Sequence, residues 1–262
     1  MLRLGWGVFS MEKEIIYWYN IIGSLYEKEV RIIKILFWNI YNKNLISPLI
    51  DMIKENQLDI VSLAEAENLD ITAILNHLKL SGNEWNDIQI SPQNDIRVLA
   101  KKEIKIIPYK EDGHYSIYKI KKYDKVDCLL VVVHLLSKKT KSNEAQYNRA
   151  NDIARELNKY EQEFFENNEK RTIIVGDFNM QPYEAGICSG YGFNATMSAS
   201  HAAKKTRKID GRTTYLYFNP IWALMGANKL VQGSYYNSGD KDDHAIYWYS
   251  FDSVLLRPCY ID

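Results

Sequence analysis

The chain has 262 residues, 46% of them hydrophobic and 25% charged, enough to bury one substantial core or at most two small ones. Lys plus Arg equals Asp plus Glu at 33 each, which excludes a general nucleic-acid coating protein with a basic excess; contact with a polyanion must come from local patches. Cys128, Cys188 and Cys259 are odd in number and widely spaced, which excludes a disulfide framework or a metal spacing and points to free thiols in a reducing cytoplasm.

The opening "MLRLGWGVFSMEKE" has one Arg and too short an apolar run for a secretory leader. Residues 11–30 space apolar side chains at roughly helical intervals between charged ends. They predict an amphipathic helix, an N-terminal extension ahead of a domain over residues 31–262. "RIIKILFWNI" follows as a buried strand. "SPLIDMIKENQ" reads as a helix with Ser47 as N-cap and Pro48 at the first helical position. "LDIVSLAEAE" is a strand, and "DITAILNHLKLSG" a helix stopped by Gly82. "DIRVLAKK", "EIKIIPYK" and "YSIYKIKK" are short alternating strands. "DCLLVVVHLLS" is apolar throughout, so it predicts a strand buried on both faces, and its length is not that of a membrane span. "SNEAQYNRANDIARELNKYEQEFFENN" is the longest helix, and "RTIIVGDF" returns to strand. No internal repeat, linker or composition break appears. Strands alternate with helices, yet several strands also follow one another directly. That mixture predicts an α/β protein with helices packed outside two stacked sheets.

Four strand ends carry polar residues that a strand does not need: Asn39, Glu65, His134, and Asp177 with Asn179. Alone, each has a bland reading as a turn residue, a solvated carboxylate, a structural histidine or a tight turn. Their recurrence points to an active site, because catalytic groups of layered α/β proteins gather at strand ends. Alternation along an extended segment would place Asp177 and Asn179 on one side. By the same count Glu67 could face as Glu65 does, which makes it a weaker alternative ligand.

The order "WNI", "DIVSLAE", "VVVHLLS", "VGDFN" resembles the endonuclease/exonuclease/phosphatase superfamily of metal-dependent phosphoesterases. The resemblance spans residues 32–182 most closely. It implies a four-layer α/β sandwich with two central mixed β-sheets flanked by helices, and Mg²⁺, with Mn²⁺ as an alternative, bound through hard oxygen ligands. It assigns Glu65 to the metal and Asn39 to the amide beside it. Asp177 becomes the acid that orients or deprotonates the water or protonates the leaving group. Asn179 and His134 become contacts to the phosphate.

The superfamily also carries an Asp that orients a His, and a terminal Asp-His pair. Two placements compete. In the first, which is favoured, "SFDSVLLRP" supplies the orienting Asp252; "FNPIW" and "GSYY" upstream fit a bacterial subgroup arranged so, and the chain then stops before the expected Asp-His. In the second, "DDHAIYWYSF" supplies Asp243, which would serve the metal, and His244, with Asp210 in "KIDGR" as a candidate orienting acid. If residues 244–252 were one extended strand, His244 and Asp252 would lie about 26 Å apart at roughly 3.3 Å per residue. Basic clusters at "KKTK" (Lys138 to Lys141) and "KKTRKIDGR" (Lys204 to Arg212) are candidate phosphate-backbone contacts, and nearby Tyr and Trp are candidate base-stacking groups. The expectation is a nuclease acting on DNA or RNA. A phosphatase, a lipid phosphodiesterase, or a catalytically impaired binding homologue are the alternatives.

Overall fold

Apolar runs too long to leave a face for water place the strands at the centre of this protein. The computed structural model describes residues 17–22, 32–89, 91, 94–122, 125–166, 169–223, 225, 233–239 and 245–261. The strands make a five-stranded and a seven-stranded sheet, with two separate hairpins. This is the mixed α/β, two-sheet class that the alternation of elements predicts. The chain divides into two compact units, bounded among the described residues by Tyr17–Val133 and His134–Asp262.

The first unit holds β1 (Tyr17–Ile22), β2 (Ile32–Asn39), α1 (Ile46–Asn56), β3 (Ile60–Ala64), α2 (Ile71–Leu80), β4 (Trp85–Asp87), β5 (Arg97–Lys101), β6 (Ile106–Asp112), β7 (Tyr115–Lys122) and β8 (Lys125–His134), whose last residue opens the second unit. One sheet runs β1-β2-β3-β5-β4. β2 and β3 are parallel, with Asn39 opposite Ala64 at their ends. Residues Ile35 to Trp38 and all of β3 are buried, so both faces of this strand pair are covered, as expected of parallel strands. β6, β7 and β8 form an antiparallel meander.

Two helix starts illustrate how local chemistry acts. α2 begins as the sequence predicts in kind, with Asp70 Oδ1 accepting from the Ala73 N–H at 2.9 Å, and Gly82 follows its end at φ +80°. α1 begins earlier than predicted. Its cap is Leu45, with no side-chain cap hydrogen bond, and Ser47 lies inside the helix. Burial of Leu49, Ile50, Met52 and Ile53 on one face sustains it.

The helix predicted over residues 11–30 is not found where the structure describes that stretch. Tyr17–Ile22 is strand, antiparallel to β2 from Tyr17 opposite Phe37 to Ile22 opposite Ile32. The sequence "YWYNII" is aromatic and β-branched, which suits an edge strand better than a helix. The rest of that stretch lies outside the described residues.

The second unit holds α3 (Asn143–Phe165), β9 (Thr172–Asp177), α4 (Ala185–Cys188), β10 (Ala195–Thr196), α5 (Ala199–Ala202), β11 (Thr206–Ile209), β12 (Arg212–Tyr215), β13 (Tyr217–Phe218), β14 (Tyr235–Tyr236), β15 (Trp248–Tyr249) and β16 (Asp252–Leu256). Four of its strands lie in the order β10-β13-β16-β9. β11–β12 and β14–β15 are hairpin pairs outside that sheet. Ser142 caps α3, accepting from the Ala145 N–H at 3.2 Å. The buried stripe of α3 includes two polar residues, Gln146 and Glu161.

Glu161 fastens the helix to the chain beyond β16. Arg257 donates to it twice, Nε to Oε1 at 2.8 Å and Nη2 to Oε2 at 2.7 Å, with both side chains almost fully buried. Arg257 Nη1 also reaches the Leu216 carbonyl at 3.0 Å, its guanidinium lies 3.6 Å from the Tyr217 ring centroid, and its backbone N–H donates to Thr172 at 3.1 Å. A forked, planar cation is suited to this place because it meets carboxylate, carbonyl and ring at once. Removing one partner leaves the other charge buried. Arg257→Ala or Glu161→Ala is therefore expected to cost about 3–5 kcal/mol in denaturant unfolding. The double substitution is expected to cost less than the sum of the two, which a double-mutant cycle would measure.

Candidate active site

In the first unit, the parallel ends of β2 and β3 bring Asn39 and Glu65 together. Asn39 Nδ2 donates to Glu65 Oε1 at 2.9 Å, and Asn39 Oδ1 accepts from the Tyr41 N–H at 3.0 Å. These bonds orient the amide and hold the carboxylate. The Glu65 backbone is left-handed, φ +50°, and its carbonyl accepts from Asn42 N at 2.7 Å. β3 has ended by then, so the alternation that would align Glu67 with Glu65 no longer applies. Glu67 is exposed. Its backbone N–H donates to Asn42 Oδ1 at 3.2 Å.

In the second unit, antiparallel pairing of β9 and β16 sets Asp252 directly opposite Asp177. The two carboxylic acids thus occupy adjacent strand ends. Asn179 is brought back by a turn rather than by strand alternation. β9 ends at Asp177, Asn179 adopts φ +50°, and its N–H donates to Asp177 Oδ1 at 2.8 Å. This is the local side-chain-to-backbone bond that Asp makes in place of continued strand. Asn179 Nδ2 donates to the Leu135 carbonyl at 3.0 Å, and the Leu135 N–H donates to the Asp177 carbonyl at 2.9 Å. The residue following His134 is therefore bonded to both site residues of the "GDFN" turn. His134 itself ends β8 and is half-buried.

Two further residues complete this arrangement. Ser234 Oγ accepts from the N–H groups of Phe251 and Asp252, each at 2.9 Å. Gln146 Nε2 donates to the carbonyls of Leu136 at 2.7 Å and Asn179 at 2.8 Å, clamping the two loops. No local signal marks Ser234. Gln146 had one: a polar residue on the apolar stripe of α3.

The electrostatics of the acid pair are asymmetric. Asp252 is half-buried as a residue, but its carboxyl is withdrawn from water. That burial, and next the negative charge of Asp177, push its pKa well above the ordinary Asp value, opposed by the Ser234 hydrogen bond.

Asp210 stands at the tip of the β11–β12 hairpin, φ +48°, exposed, and accepts from the Tyr191 hydroxyl at 2.7 Å. That is a turn role. Asp243 and His244 lie outside the described residues. The stretch that follows them is not one extended strand, since β15 and β16 are separate and Tyr247 has φ +58°. Lys138 of the "KKTK" cluster is bonded within the unit, to Glu184 at 2.6 Å, Asn143 at 2.8 Å and Gln146 at 3.1 Å. Among the described residues, no group of three or more His, Cys, Asp or Glu side chains is gathered to hold a metal ion. No helix among them is long and apolar enough to cross a membrane.

No family model and no curated protein sequence matches the chain. Solved structures do. The human Nocturnin catalytic domain, solved with a bound sulfate, aligns with a TM-score of 0.50 at 14% identity, covering 86% of this chain and 82% of that one. Truncated TDP2 from Caenorhabditis elegans gives 0.50 at 14% identity over 85% and 83% of the two chains. An AP endonuclease from Archaeoglobus fulgidus gives 0.50 at 12% identity over 87% and 88%. The chain shares the fold of these solved structures.

The acid pair makes a prediction that needs no substrate. A carboxyl whose folded pKa is raised favours the native state fully below its unfolded pKa, about 4, and that contribution is lost as pH rises through the folded value. Asp252→Asn imitates the protonated form. In metal-free buffer its stability relative to the wild type is expected to rise with pH above about 4, measured by urea unfolding across pH. A difference that does not vary with pH would contradict the raised pKa.

Proposed function

We propose that this protein is a divalent-metal-dependent phosphodiesterase, a nuclease that cleaves nucleic-acid phosphodiester bonds by in-line attack of an activated water. The observation that carries this reading is the Asp177–Asp252 pair: two carboxyl groups set opposite each other, one of them with its pKa raised. Such a pair divides into an ionised base and a protonated acid at one pH. Diester hydrolysis needs both, a base for the attacking water and an acid for the leaving oxygen.

Roles follow from the bonds already made. Asp177, its carboxylate oriented by the Asn179 N–H at Oδ1, is assigned to the water proton. Asp252, the member with the raised pKa, is assigned the proton that passes to the leaving oxygen. Asn179 spends one amide hydrogen on Leu135, and its second amide hydrogen is assigned to a phosphate oxygen. His134 is assigned the same anion. Ser234 and Gln146 position these groups and touch no substrate.

Glu65 and Asn39 are assigned to the cation. Their donors are oxygens, and the 2.9 Å bond between them fixes the carboxylate. That fits Mg²⁺ or Mn²⁺, hard ions that bind through one or two carboxylates and keep several waters. When bound, such a cation supplies charge to the phosphoryl oxygens. Three free cysteines accord with a cytoplasmic location.

Labelled single- and double-stranded DNA and RNA, incubated with Mg²⁺ or Mn²⁺, test the reading. Cleavage is expected, with loss on chelation. Asp177→Ala and Glu65→Gln are each expected to lower the rate about a hundredfold or more. Release of phosphate from monoesters alone would redirect the assignment to a phosphatase. A folded wild type that cleaves no diester would overturn it.

A further inference from the structure

The β14–β15 hairpin carries aromatic surface that the core does not use. Tyr235 pairs with Tyr249, and Tyr236 with Trp248. Alternation sends the two pairs to opposite faces of the hairpin. On one face Tyr235, Tyr249 and Phe251 stack together, with ring centroids 5.5 Å apart for Tyr235–Phe251 and 5.2 Å for Tyr249–Phe251. On the other, the Tyr236 and Trp248 rings lie 4.8 Å apart. Tyr236 is 38% exposed, and Ile246 and Tyr247, just before β15, are 51% and 46% exposed.

Three observations say what this surface takes. The hairpin is registered to the acid pair, because Ser234, immediately before Tyr235, accepts the backbone N–H groups of Phe251 and Asp252. Trp248 precedes Asp252 by four residues, so it lies at most about 13 Å away along the chain. That is a span of a few nucleotides. The hairpin end is held in a costly conformation, with Tyr247 at φ +58° and the Asn237 N–H donating to its carbonyl at 2.7 Å.

We propose that the Tyr236–Trp248 face is a nucleobase-stacking subsite for single-stranded nucleic acid, seating a base a few nucleotides from the bond cleaved at Asp177 and Asp252. The proposal deepens the diesterase reading and rests on it. Flat rings left partly open to solvent match the face of an unpaired base, and a duplex does not offer that face to a side chain. Every base has such a face, so the subsite selects strandedness rather than sequence.

Fluorescence anisotropy in metal-free buffer tests this, comparing a labelled thymidine strand with an abasic strand of equal length and charge. The wild type is expected to bind the base-bearing strand about tenfold more tightly, the scale of one stacked base. Tyr236→Ala with Trp248→Ala is expected to erase that preference, and Trp248→Phe to keep most of it. Equal binding of the two strands by the wild type, or a preference surviving in the double alanine variant, would overturn the subsite. The wild-type comparison requires no variant, so misfolding of a variant cannot shelter the proposal. Hydrolysis of methyl 4-nitrophenyl phosphate by the wild type separates the two readings. Turnover without base preference rejects the subsite alone, and base preference without turnover of any diester rejects the enzyme alone.

Discussion

The antiparallel register of β9 and β16 is the constraint on which the second unit's chemistry depends. Asp177 meets Asp252 only because Val175 meets Val254, Ile174 meets Leu255 and Ile173 meets Leu256. All six of those apolar residues are buried. A shift of one residue would carry Asp252 to the other face, away from Asp177. The hydrophobic effect thus sets a carboxyl–carboxyl approach that electrostatics alone would oppose. Beyond β16, the Arg257–Glu161 pair and the Arg257 backbone bond to Thr172 close the far end of the same strand pair. One end of β16 is locked so that the other can hold an unfavourable contact.

The residues that meet a substrate in this reading sit at the last or first residue of a strand or just beyond it. Strand ends deliver them, and local bonds finish the placement. The Asp177–Asn179 turn, the Asn39–Glu65 bond and the Ser234 hydroxyl each replace a ladder bond that the strand no longer supplies. α3 adds a longer connection. Gln146 near its start grips the loops after β8 and β9, and Glu161 near its end grips Arg257. About 15 residues at 1.5 Å each separate them, so one rigid rod of roughly 22 Å spans both anchors.

Much of this was legible in the sequence. The apolar runs of β2, β3, β8 and β9 are unambiguous because burial on both faces leaves no polar alternation to confuse. α2 and α3 declare themselves through Asp70 and Ser142. The polar residues at the ends of those strands were visible for the same reason. Legibility fails where packing rather than pattern decides. Residues 17–22 have apolar spacing compatible with a helix, and pairing with β2 makes them a strand. Ser47 has the right chemistry for a cap, yet α1 starts ahead of it. From β10 onward the strands are mostly two to five residues long, too short to show a period. The opposition of Asp177 and Asp252 is a long-range register, and the two N–H groups that Ser234 accepts are fixed by a loop with no signature of its own.

The left-handed backbone at Glu65 bears on how this sequence can drift. For a side chain with a Cβ, that conformation carries a steric cost that glycine avoids and asparagine tolerates better. Glu65 occupies it at φ +50°. Asn179, at a matching angle, already belongs to the tolerant class. Gly or Asn at position 65 would ease that backbone and lose the carboxylate bonded to Asn39. Glu65 therefore joins a backbone strain to an acidic group at one position, so that a replacement stabilising the turn would at the same stroke remove the charge.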